Sequence, residues 1–421
     1  METRSQLLVI GAGPTGLAMS KALGEAGVEH VVAEATDHVG GNWAHGVYET
    51  AHIISSKATT EYPDWPMPAD YPDFPSGAQM KAYYEAFAEA CGLLERIRFS
   101  SPVADVRPVE GGWSASVGGV EEVFKGVVVC NGHHWSRVFP DWVEQARAAG
   151  VEVLHSKDYK RPDQLRGKRV LVLGGGNSGC DIVSEAARVA AGADWSLRRG
   201  YWMMPKTLFG RPTVELMNPW MPVWAQRLMI RAMLRVVVGR YADYGLPEPD
   251  HRIFEAHPTV STEVFHYLKH GRITPRPDVA GVDEQGVRFA DGTRAAYDLI
   301  VCATGYHVDL PMLPEGMLQV VGKTPQVYGG MLLREHRHLY VMGGFQVRYG
   351  IGPLLRPLGL MLADWVQLQD QLELPLGEVL HRLGDRPPTT HLAGPHAAIR
   401  KMWLGRKMVP WLRWRGRRMS A

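Results

Sequence analysis

The sequence predicts an α/β protein with two parallel-sheet domains, the second inserted in the first. Two observations lead to this prediction. A strand, a glycine-rich turn, a helix and another strand follow one another from Leu7 to Glu34, and the same order recurs from Arg169 to Arg199. Strands that alternate with helices in this way form parallel sheets. A chain of 421 residues is also too long for one ordinary core.

The first glycine-rich turn has the pattern GxGxxG. It lies between an apolar run at Leu7–Ile10 and a small, helix-compatible stretch at Pro14–Ala26. The first glycine permits the tight turn, the second lets the backbone approach a pyrophosphate, and the third lets helix and strand pack closely. The N–H groups and partial positive charge of the helix N-terminus then face the phosphates. The predicted contacts are Gly11, Gly13, Pro14, Thr15 and Gly16.

The residue that ends the second strand distinguishes the two units. In the first unit it is Glu34, whose carboxylate can accept hydrogen bonds from a ribose diol, which suits FAD. In the second unit the strand ends in Arg198 and Arg199, whose guanidinium groups suit the 2′-phosphate of NADPH. A solvated surface pair is the alternative interpretation of these arginines. The contacts predicted in the second turn are Gly174, Gly176, Asn177, Ser178 and Gly179.

These two Rossmann-like units define the predicted domains. An FAD-binding domain is expected to comprise residues 1–160 and 306–421, with an NADPH-binding domain at residues 161–305 between its two parts. Within the first part, Ser76 and Gln79 have the spacing of a capping box that opens a helix.

Composition excludes several other classes of protein. The formal charge of +2 gives no sign of a nucleic-acid partner. The four cysteines form no CxxC pair and no zinc-spaced cluster, so we expect buried thiols and the cytoplasm as the compartment. The first strand begins at Leu7, so no leader peptide is expected, and no apolar run reaches the roughly 18 residues of a membrane span.

Further motifs follow in a characteristic order. They are Gly40-Gly-Asn-Trp43, Ser56-Lys57 with Tyr62-Pro-Asp-Trp-Pro66, Val127-Val-Val-Cys-Asn-Gly-His-His134, Leu299-Ile-Val-Cys-Ala-Thr-Gly-Tyr306 and Leu339-Tyr-Val-Met-Gly-Gly-Phe-Gln346. In content and order these segments resemble the flavin-containing monooxygenases, a branch of the class B flavoprotein monooxygenases. The resemblance implies additional cofactor contacts. The predicted set is completed by Gly41, Asn42, Trp43, Ser55, Val103, Asn131, Gly132, Thr304, Gly305 and Gln346.

Two departures from the family pattern affect the predicted chemistry. Its signature FxGxxxHxxx[YF] is half present, because His155 and Tyr159 match but Ala149 and Val151 replace the Phe and Gly. A structural role at a domain junction is favoured for His155 over catalysis. Aligned on the lysine of the Ser-Lys pair, the family's flavin-side asparagine falls on Ile54, which cannot donate a hydrogen bond. Losing one such bond costs roughly 1–3 kcal/mol. A slip of one residue would place Ser55 there instead, and Asn42 could also compensate.

The resemblance implies that NADPH reduces FAD, that O2 then forms a C4a-(hydro)peroxyflavin, and that a small nucleophilic nitrogen or sulfur substrate takes the terminal oxygen. No catalytic acid or base is predicted, because such an attack requires none, and no metal is predicted. Two alternatives stay open. One is an NADPH-dependent flavin oxidase or quinone reductase without oxygen transfer, which Ile54 favours, and the other is a non-enzymatic dinucleotide-binding sensor.

Basic residues suggest a further partner. Arg227, Arg231 and Arg235 recur at four-residue spacing, and the stretch from Arg400 onward mixes arginines with Trp403, Trp411 and Trp414. Such a composition suits peripheral contact with an anionic membrane surface, the alternative being a solvated face and a loosely ordered tail. The sequence leaves open the substrate and whether the chain forms a homo-oligomer.

Overall fold

The computed structural model describes residues 4–217, 221–342 and 346–420, which divide into two compact units. The first unit comprises the residues up to Gly46, Lys57–Ser136 and the residues from His307 onward. The second comprises Val47–Ser56 and Arg137–Tyr306. The α/β architecture with one domain inserted in the other is therefore confirmed. The chain enters the second unit earlier than residue 161, because a strand at Glu152–His155 already pairs within the second sheet.

The strands range from two residues to the ten residues of Val120–Val129. In chain order they are β1 (Arg4–Ile10), β2 (His30–Ala33), β3 (Ile97–Arg98), β4 (Val103–Val109), β5 (Gly112–Val117), β6 (Val120–Val129), β7 (Ser136–Arg137), β8 (Glu152–His155), β9 (Arg169–Leu173), β10 (Gly192–Ser196), β11 (Met203–Met204), β12 (Thr207–Leu208), β13 (Arg211–Pro212), β14 (Thr259–Val260), β15 (Thr274–Arg276), β16 (Val279–Asp283), β17 (Gly286–Phe289), β18 (Arg294–Ala295), β19 (Leu299–Cys302), β20 (Tyr306–His307), β21 (Val320–Val321), β22 (Thr324–Pro325), β23 (Leu339–Val341), β24 (Gln346–Val347) and β25 (Leu392–Ala393).

The helices include two that begin directly after the glycine-rich turns, α1 and α6. In chain order they are α1 (Pro14–Glu25), α2 (Asn42–His45), α3 (Lys57–Thr60), α4 (Gly77–Ala90), α5 (Val143–Ala148), α6 (Asn177–Val189), α7 (Val223–Val237), α8 (Glu263–Lys269), α9 (Gly352–Gln369), α10 (Leu376–Arg382), α11 (Pro395–Lys407) and α12 (Val409–Ser420), with 3₁₀ turns at Leu94–Arg96, Pro162–Leu165, Thr213–Leu216 and Tyr241–Tyr244.

The first unit is built on a sheet with the strand order β3-β2-β1-β6-β5-β4, and β23 pairs with β6. Strand β1 pairs in parallel with both β2 and β6, placing Leu8 opposite Val31 on one side and Val127 on the other. Strands β4, β5 and β6 form an antiparallel extension. The apolar runs of the central strands are buried, and α9 approaches α1 so closely that a Cβ on Gly359 would lie 2.7 Å from the Ala22 Cβ.

The second unit has an all-parallel sheet with the order β15-β10-β9-β19-β8. Its central strands β9 and β19 are buried, consistent with their Val, Leu and Ile content. An antiparallel meander, β16-β17-β18, packs with α5 in the same unit. The strand–turn–helix–strand unit predicted from Arg169 onward is thus present.

Several local predictions can be compared with the structure. Ser76 and Gln79 form the predicted capping box, in which the Ser76 N–H donates to the Gln79 side chain at 3.0 Å and the Gln79 N–H donates to Ser76 Oγ at 3.3 Å. Helix α7 forms, but its arginines are not one free stripe, because Arg227 Nε donates to the Ile253 carbonyl at 2.8 Å. The stretch after Arg400 is helical rather than loosely ordered.

All four cysteines are unpaired thiols, and Cys130, Cys180 and Cys302 are buried. Burial raises the pKa of Cys302 to about 12, so this thiol is protonated and unreactive near neutral pH. A search of the described residues finds no helix that is both long and apolar enough to cross a membrane.

Candidate functional site

The first glycine-rich turn forms a narrow cradle between β1 and α1. Gly11 has φ +100°, and a Cβ there would lie 2.8 Å from the Cys130 carbonyl oxygen. A Cβ on Gly16 would overlap the Gly11 carbonyl oxygen, so this glycine lets α1 pack against the turn. At Gly13, by contrast, the nearest atom to an added Cβ is 3.7 Å away. The fold therefore does not require a glycine at position 13, which fits the close approach of a ligand phosphate.

The N-terminus of α1 is open to such a ligand. Leu17 donates the first intrahelical hydrogen bond, to the Gly13 carbonyl at 3.0 Å, and Gly13 provides no capping side chain. The N–H groups of Thr15 and Gly16 are consequently left to a ligand, while Pro14 has no N–H to satisfy. Gly13, Pro14, Thr15 and Gly16 are all predicted contacts, and the free N–H groups at this helix end suit a pyrophosphate.

Glu34 lies beside this cradle. The Gly11 N–H donates to the Ala33 carbonyl at 2.8 Å, which joins the turn to the end of β2. The buried Glu34 carboxylate accepts hydrogen bonds from the Ala12 N–H at 2.7 Å and from the Thr36 N–H at 2.9 Å. The Ala12 N–H occupies one lone pair of Glu34 Oε2, so this oxygen still has a lone pair that can accept from a ribose hydroxyl group.

The GGxW segment lies against the same cradle. Gly41 has φ +56°, and a Cβ there would lie 3.0 Å from the Gly13 Cα. Helix α2 begins immediately afterwards with Asn42 and Trp43, both half-buried. The structure thus brings Gly41 and the turn together, whereas the contacts of Gly41, Asn42 and Trp43 with a cofactor stay predictions.

The end of β6 lies on the other side of Gly11. Asn131 follows Cys130 there, and its Nδ2 donates to the Asp309 carbonyl at 3.2 Å. Gly132 has φ +69°, which allows the chain to turn at the sheet edge. Val103 is more distant in sequence but begins β4 and is half-buried against the core of the first unit. Its contact with a cofactor stays a prediction.

Gln346 lies near the two histidines of the GHH motif. Its Nε2 is 3.3 Å from His133 Nε2 and 3.5 Å from His134 Nε2, and the two imidazole rings are 4.2 Å apart. The late motif that contains Gln346 is only partly visible, since residues 343–345 lie outside the described residues. The predicted flavin contact of Gln346 is untested by this geometry.

The second turn repeats the construction of the first. Gly174 has φ +96°, and a Cβ there would lie 2.6 Å from the Ala303 carbonyl oxygen. A Cβ on Gly179 would overlap the Gly174 carbonyl oxygen, whereas a Cβ on Gly176 meets no atom within 4 Å. Cys180 donates the first intrahelical bond of α6, so the N–H groups of Ser178 and Gly179 can serve a ligand phosphate.

Arg198 and Arg199 lie where the sequence places them. The Gly174 N–H donates to the Ser196 carbonyl at 3.0 Å, so the end of β10 adjoins the second turn as the end of β2 adjoins the first. Both arginines are exposed, and Arg199 lies 5.5 Å from the centre of the Tyr201 ring. Within the described residues Arg198 has neither a hydrogen bond nor an ion pair, so its guanidinium is available to an anion.

Two residues at this turn, Tyr201 and Thr259, are not among the contacts predicted from the sequence. The Tyr201 ring lies against Gly175, where a Cβ would come within 2.5 Å of it. The Thr259 hydroxyl donates to the Gly175 carbonyl at 2.7 Å, and Asn177 Oδ1 accepts from the neighbouring Val260 N–H at 2.8 Å. Only the pairing of β11 with β14 reveals the contacts of Thr259 and Val260, since β14 is distant from the turn in sequence.

Thr304 and Gly305 follow β19, and His155 ends β8, which pairs with β19. The Thr304 hydroxyl donates to the Val138 carbonyl, and Gly305 has φ +90°. His155 is fully buried; its Nδ1 accepts from the Lys157 N–H at 3.1 Å, so its Nε2 carries the proton and donates to the Gly305 carbonyl at 3.1 Å. Burial lowers the pKa of His155. Both ring nitrogens are therefore engaged in holding the backbone, as a structural role requires.

The segment Val47–Ser56, hereafter the strap, is held on α6 by hydrogen bonds to two carboxylates, of which Glu185 is buried and Asp181 half-buried. Tyr48 Oη donates to Asp181 Oδ2 at 2.7 Å, and Thr50 and Tyr159 both donate to the Glu185 carboxylate. Burial raises the pKa of Glu185. The strap also contains Ile54 and Ser55, both half-buried, so the position predicted to face the flavin is carried by the second unit.

The described residues contain one group with the spacing of metal ligands, Asp37, His38 and His45, whose ligand atoms lie within 4.8 Å of one another. Asp37 and His45 are exposed. Asp37 Oδ1 accepts a hydrogen bond from His38 Nδ1 at 2.6 Å, which is the geometry of an ion pair rather than of two ligands arranged around one cation.

Known proteins share this architecture. A family model described as flavin-binding monooxygenase-like matches residues 4–355. Flavin-containing monooxygenase 5 of Oryctolagus cuniculus is 32% identical over 349 residues, which cover 76% of this chain and 65% of the relative. Dimethylaniline monooxygenase [N-oxide-forming] 2 of Macaca mulatta is 31% identical over 363 residues, covering 77% of this chain and 65% of the relative. The chain thus spans less than two thirds of these curated relatives.

Among solved structures, a flavin-containing monooxygenase from Stenotrophomonas maltophilia superposes with a TM-score of 0.64 and 21% identity, covering 87% of this chain and 99% of that one. At this identity the likeness concerns the fold, and it agrees with two dinucleotide-binding units.

Proposed function

The chain belongs to the flavin-binding monooxygenase-like family, and from this premise we propose that it is an FAD- and NADPH-dependent monooxygenase. Its substrates are O2 and a small molecule with a nucleophilic nitrogen or sulfur atom. The observation that carries the proposal is the repeated phosphate cradle with opposite charges at the ribose end, Glu34 in one unit and Arg198 with Arg199 in the other. The name of the macaque relative, which includes N-oxide formation, supports a nitrogen substrate.

The residues of the two turns would bind and orient the two nucleotides. The N–H groups after Gly13 would bind the FAD pyrophosphate, and Glu34 would accept hydrogen bonds from its ribose. The N–H groups after Gly176 would bind the NADPH pyrophosphate, and Arg198 would pair with the 2′-phosphate. When bound, FAD supplies the capacity to accept hydride from NADPH and to activate O2. The protein supplies position and a site from which water is excluded.

A second candidate function is an NADPH-dependent flavin oxidase or quinone reductase without oxygen transfer. Ile54 favours it, since an aliphatic side chain stands where the family carries a hydrogen-bonding asparagine. Ser55 follows immediately on the same strap and could donate instead. The two functions differ in the fate of the NADPH electrons. A monooxygenase uses them to form water and an oxygenated product, whereas an oxidase or quinone reductase transfers them to O2, giving peroxide, or to a quinone.

The deciding experiment measures the fate of oxygen. Protein reconstituted with FAD is given NADPH and ¹⁸O2 with a panel of amines and sulfides, and NADPH loss, labelled product and H2O2 are measured together. A monooxygenase incorporates one labelled oxygen atom into product for each NADPH oxidised. Stoichiometric peroxide with no labelled product would establish the second candidate. Failure to take up FAD would contradict both.

A variant of the strap sharpens this test. Ile54→Asn restores the family's side chain, and one hydrogen bond gained toward an oxygenated intermediate corresponds to about a 5- to 150-fold higher ratio of product to peroxide. Ile54→Leu is the matched control, because it preserves volume and adds no donor. An equal ratio in both variants would show that position 54 does not govern oxygen transfer.

We further propose a cytoplasmic location. Its support is the set of four unpaired thiols, three of them buried, which suits a reducing compartment. Thiol titration of the protein after expression in the cytoplasm and in the periplasm would show in which compartment the four cysteines stay reduced.

A further inference from the structure

The last two helices, α11 and α12, have a charge unlike the rest of the chain. Residues 395–421 contain eight Lys and Arg side chains and no Asp or Glu. The whole chain has 46 basic and 44 acidic side chains, so the remainder carries six more acids than bases. These helices also lie beyond residue 355, where the family match ends. None of the nucleotide contacts of the proposed function lies on these helices.

Glycines fix both helices to the first unit. A Cβ on Gly405 of α11 would lie 2.9 Å from the Met361 sulfur and 3.0 Å from the Trp365 ring. A Cβ on Gly416 of α12 would lie 2.7 Å from Leu372. The backbone of each helix thus packs closely against side chains of the first unit. Arg406 Nε also holds α11 in place by donating a hydrogen bond to Asp364 at 2.6 Å.

The opposite sides of these helices face solvent. Residues two positions from a helical glycine lie roughly 200° around the axis from it. On α11 this side bears Arg400, Trp403 and Lys407, and on α12 it bears Trp411, Trp414 and Arg418, all exposed. The three tryptophans are between 43% and 48% exposed. The terminal face, as we call these residues, is Arg400, Trp403, Lys407, Trp411, Trp414 and Arg418.

We propose that the terminal face binds the surface of an anionic phospholipid bilayer. The cations complement lipid phosphates, and tryptophan is the side chain that prefers the boundary between headgroups and acyl chains. The Arg418 guanidinium lies 4.6 Å from the centre of the Trp414 ring, so the cation and the ring would contact neighbouring lipids. Leu404, 55% exposed, adds apolar surface at the edge of the face. Since neither helix is long and apolar enough to span, both lie along the interface.

Two other occupants fit less well. A second copy of the chain would bring two faces of the same sign together, which costs free energy unless acids intervene. A nucleic acid would satisfy the cations, but it does not account for a leucine and three tryptophans exposed together. Both remain outcomes of the test below.

The experiment uses the full-length protein and sedimenting vesicles of phosphatidylcholine, with or without phosphatidylserine. We expect the protein to bind the anionic vesicles at low salt, to bind phosphatidylcholine alone weakly, and to be released as salt shortens the screening length. The charge-reversed variant Arg400→Glu, Lys407→Glu, Arg418→Glu should bind at least about 100-fold more weakly. The variant Trp403→Ala, Trp411→Ala, Trp414→Ala should lose about 10-fold or more.

A matched control reverses three exposed arginines elsewhere, Arg166, Arg240 and Arg252, and should bind like the unaltered chain. The midpoint of thermal unfolding verifies that each variant is folded. Fluorescence of the unaltered protein provides a test that needs no variant. Brominated phosphatidylcholine in the anionic vesicles should quench tryptophan fluorescence, because the tryptophan rings reach the boundary between headgroups and acyl chains.

Several results would overturn the proposal. They are absence of binding to anionic vesicles at low salt, an equal loss in the matched control, and binding without bromine quenching. Retention on duplex DNA with no vesicle binding would assign the face to nucleic acid. Self-association that the charge-reversed variant abolishes, with no vesicle binding, would assign it to a second copy. None of these outcomes bears on FAD uptake or NADPH oxidation, so the proposed function is tested separately.

Discussion

Alanine substitutions in the second turn should separate nucleotide binding from folding. At Gly176 the backbone has φ −76° and ψ 175°, and an added Cβ meets nothing within 4 Å. Gly176→Ala should therefore change the free energy of unfolding of the nucleotide-free protein by no more than about 1 kcal/mol, because the unfolded-chain entropy favours alanine whereas the N-cap position of α6 favours glycine. At Gly179 the methyl group would overlap the Gly174 carbonyl oxygen, so Gly179→Ala should lower that free energy by about 3 kcal/mol.

Binding of NADP⁺ should respond in a different order. The space beside Gly176 is the path along which a pyrophosphate reaches the N–H groups of Ser178 and Gly179. A methyl group there would cost at least one charge-assisted hydrogen bond, about 1.5–3 kcal/mol, which raises the Kd by about 10- to 150-fold. Gly176→Ala should thus be a stable protein that binds poorly.

Calorimetry provides both measurements, thermal unfolding of nucleotide-free protein and titration with NADP⁺. Gly192→Ala is the control, because Gly192 belongs to the same unit and a Cβ there also meets nothing within 4 Å. Unchanged NADP⁺ affinity in Gly176→Ala would refute the assignment of this turn to the nucleotide. Unchanged stability in Gly179→Ala would refute the packing argument.

Three further predictions concern other parts of the chain. The double variant Arg198→Glu, Arg199→Glu should lower kcat/KM for NADPH by about 100-fold relative to NADH, and an unchanged ratio would contradict the 2′-phosphate assignment. His155→Gln should cost about 1–3 kcal/mol near neutral pH. Burial holds the pKa of His155 below its ordinary 6.5, so its contribution is present above pH 6.5 and is lost as pH falls through the folded pKa. The difference in free energy of unfolding between the variant and the unaltered protein, measured by urea unfolding, should therefore shrink on acidification. A difference that does not change with pH would contradict this role of the neutral imidazole. Lys57 Nζ donates hydrogen bonds to the Tyr71 carbonyl at 3.0 Å and to the carbonyls of residues 68 and 69. Lys57→Met removes these bonds and should speed proteolysis of residues 62–75 by about 10-fold. An unchanged rate of proteolysis would show that Lys57 does not hold this loop in place.

The two cradles are predictable from the amino-acid sequence without the structure. Each depends on a glycine at positive φ, a helix that starts beside it and a strand that ends in a charged residue, all within one short segment. The structure shows the same backbone bond at both, from Gly11 to Ala33 and from Gly174 to Ser196. Local periodicity and turn chemistry suffice for such a unit, because its contacts join residues that are close in sequence.

Tertiary structure alone decided which distant segments complete these units. The strap lies on α6 because the hydroxyls of Tyr48 and Thr50 donate to the carboxylates of Asp181 and Glu185 on that helix. Thr259 reaches the second turn because β14 pairs with β11. In the sequence the terminal helices are recognisable only by their basic, tryptophan-rich composition, whereas packing at Gly405 and Gly416 determines which side of each helix faces solvent. Sequence patterns record which side chains an element carries, but only the packing of the whole chain selects its neighbours.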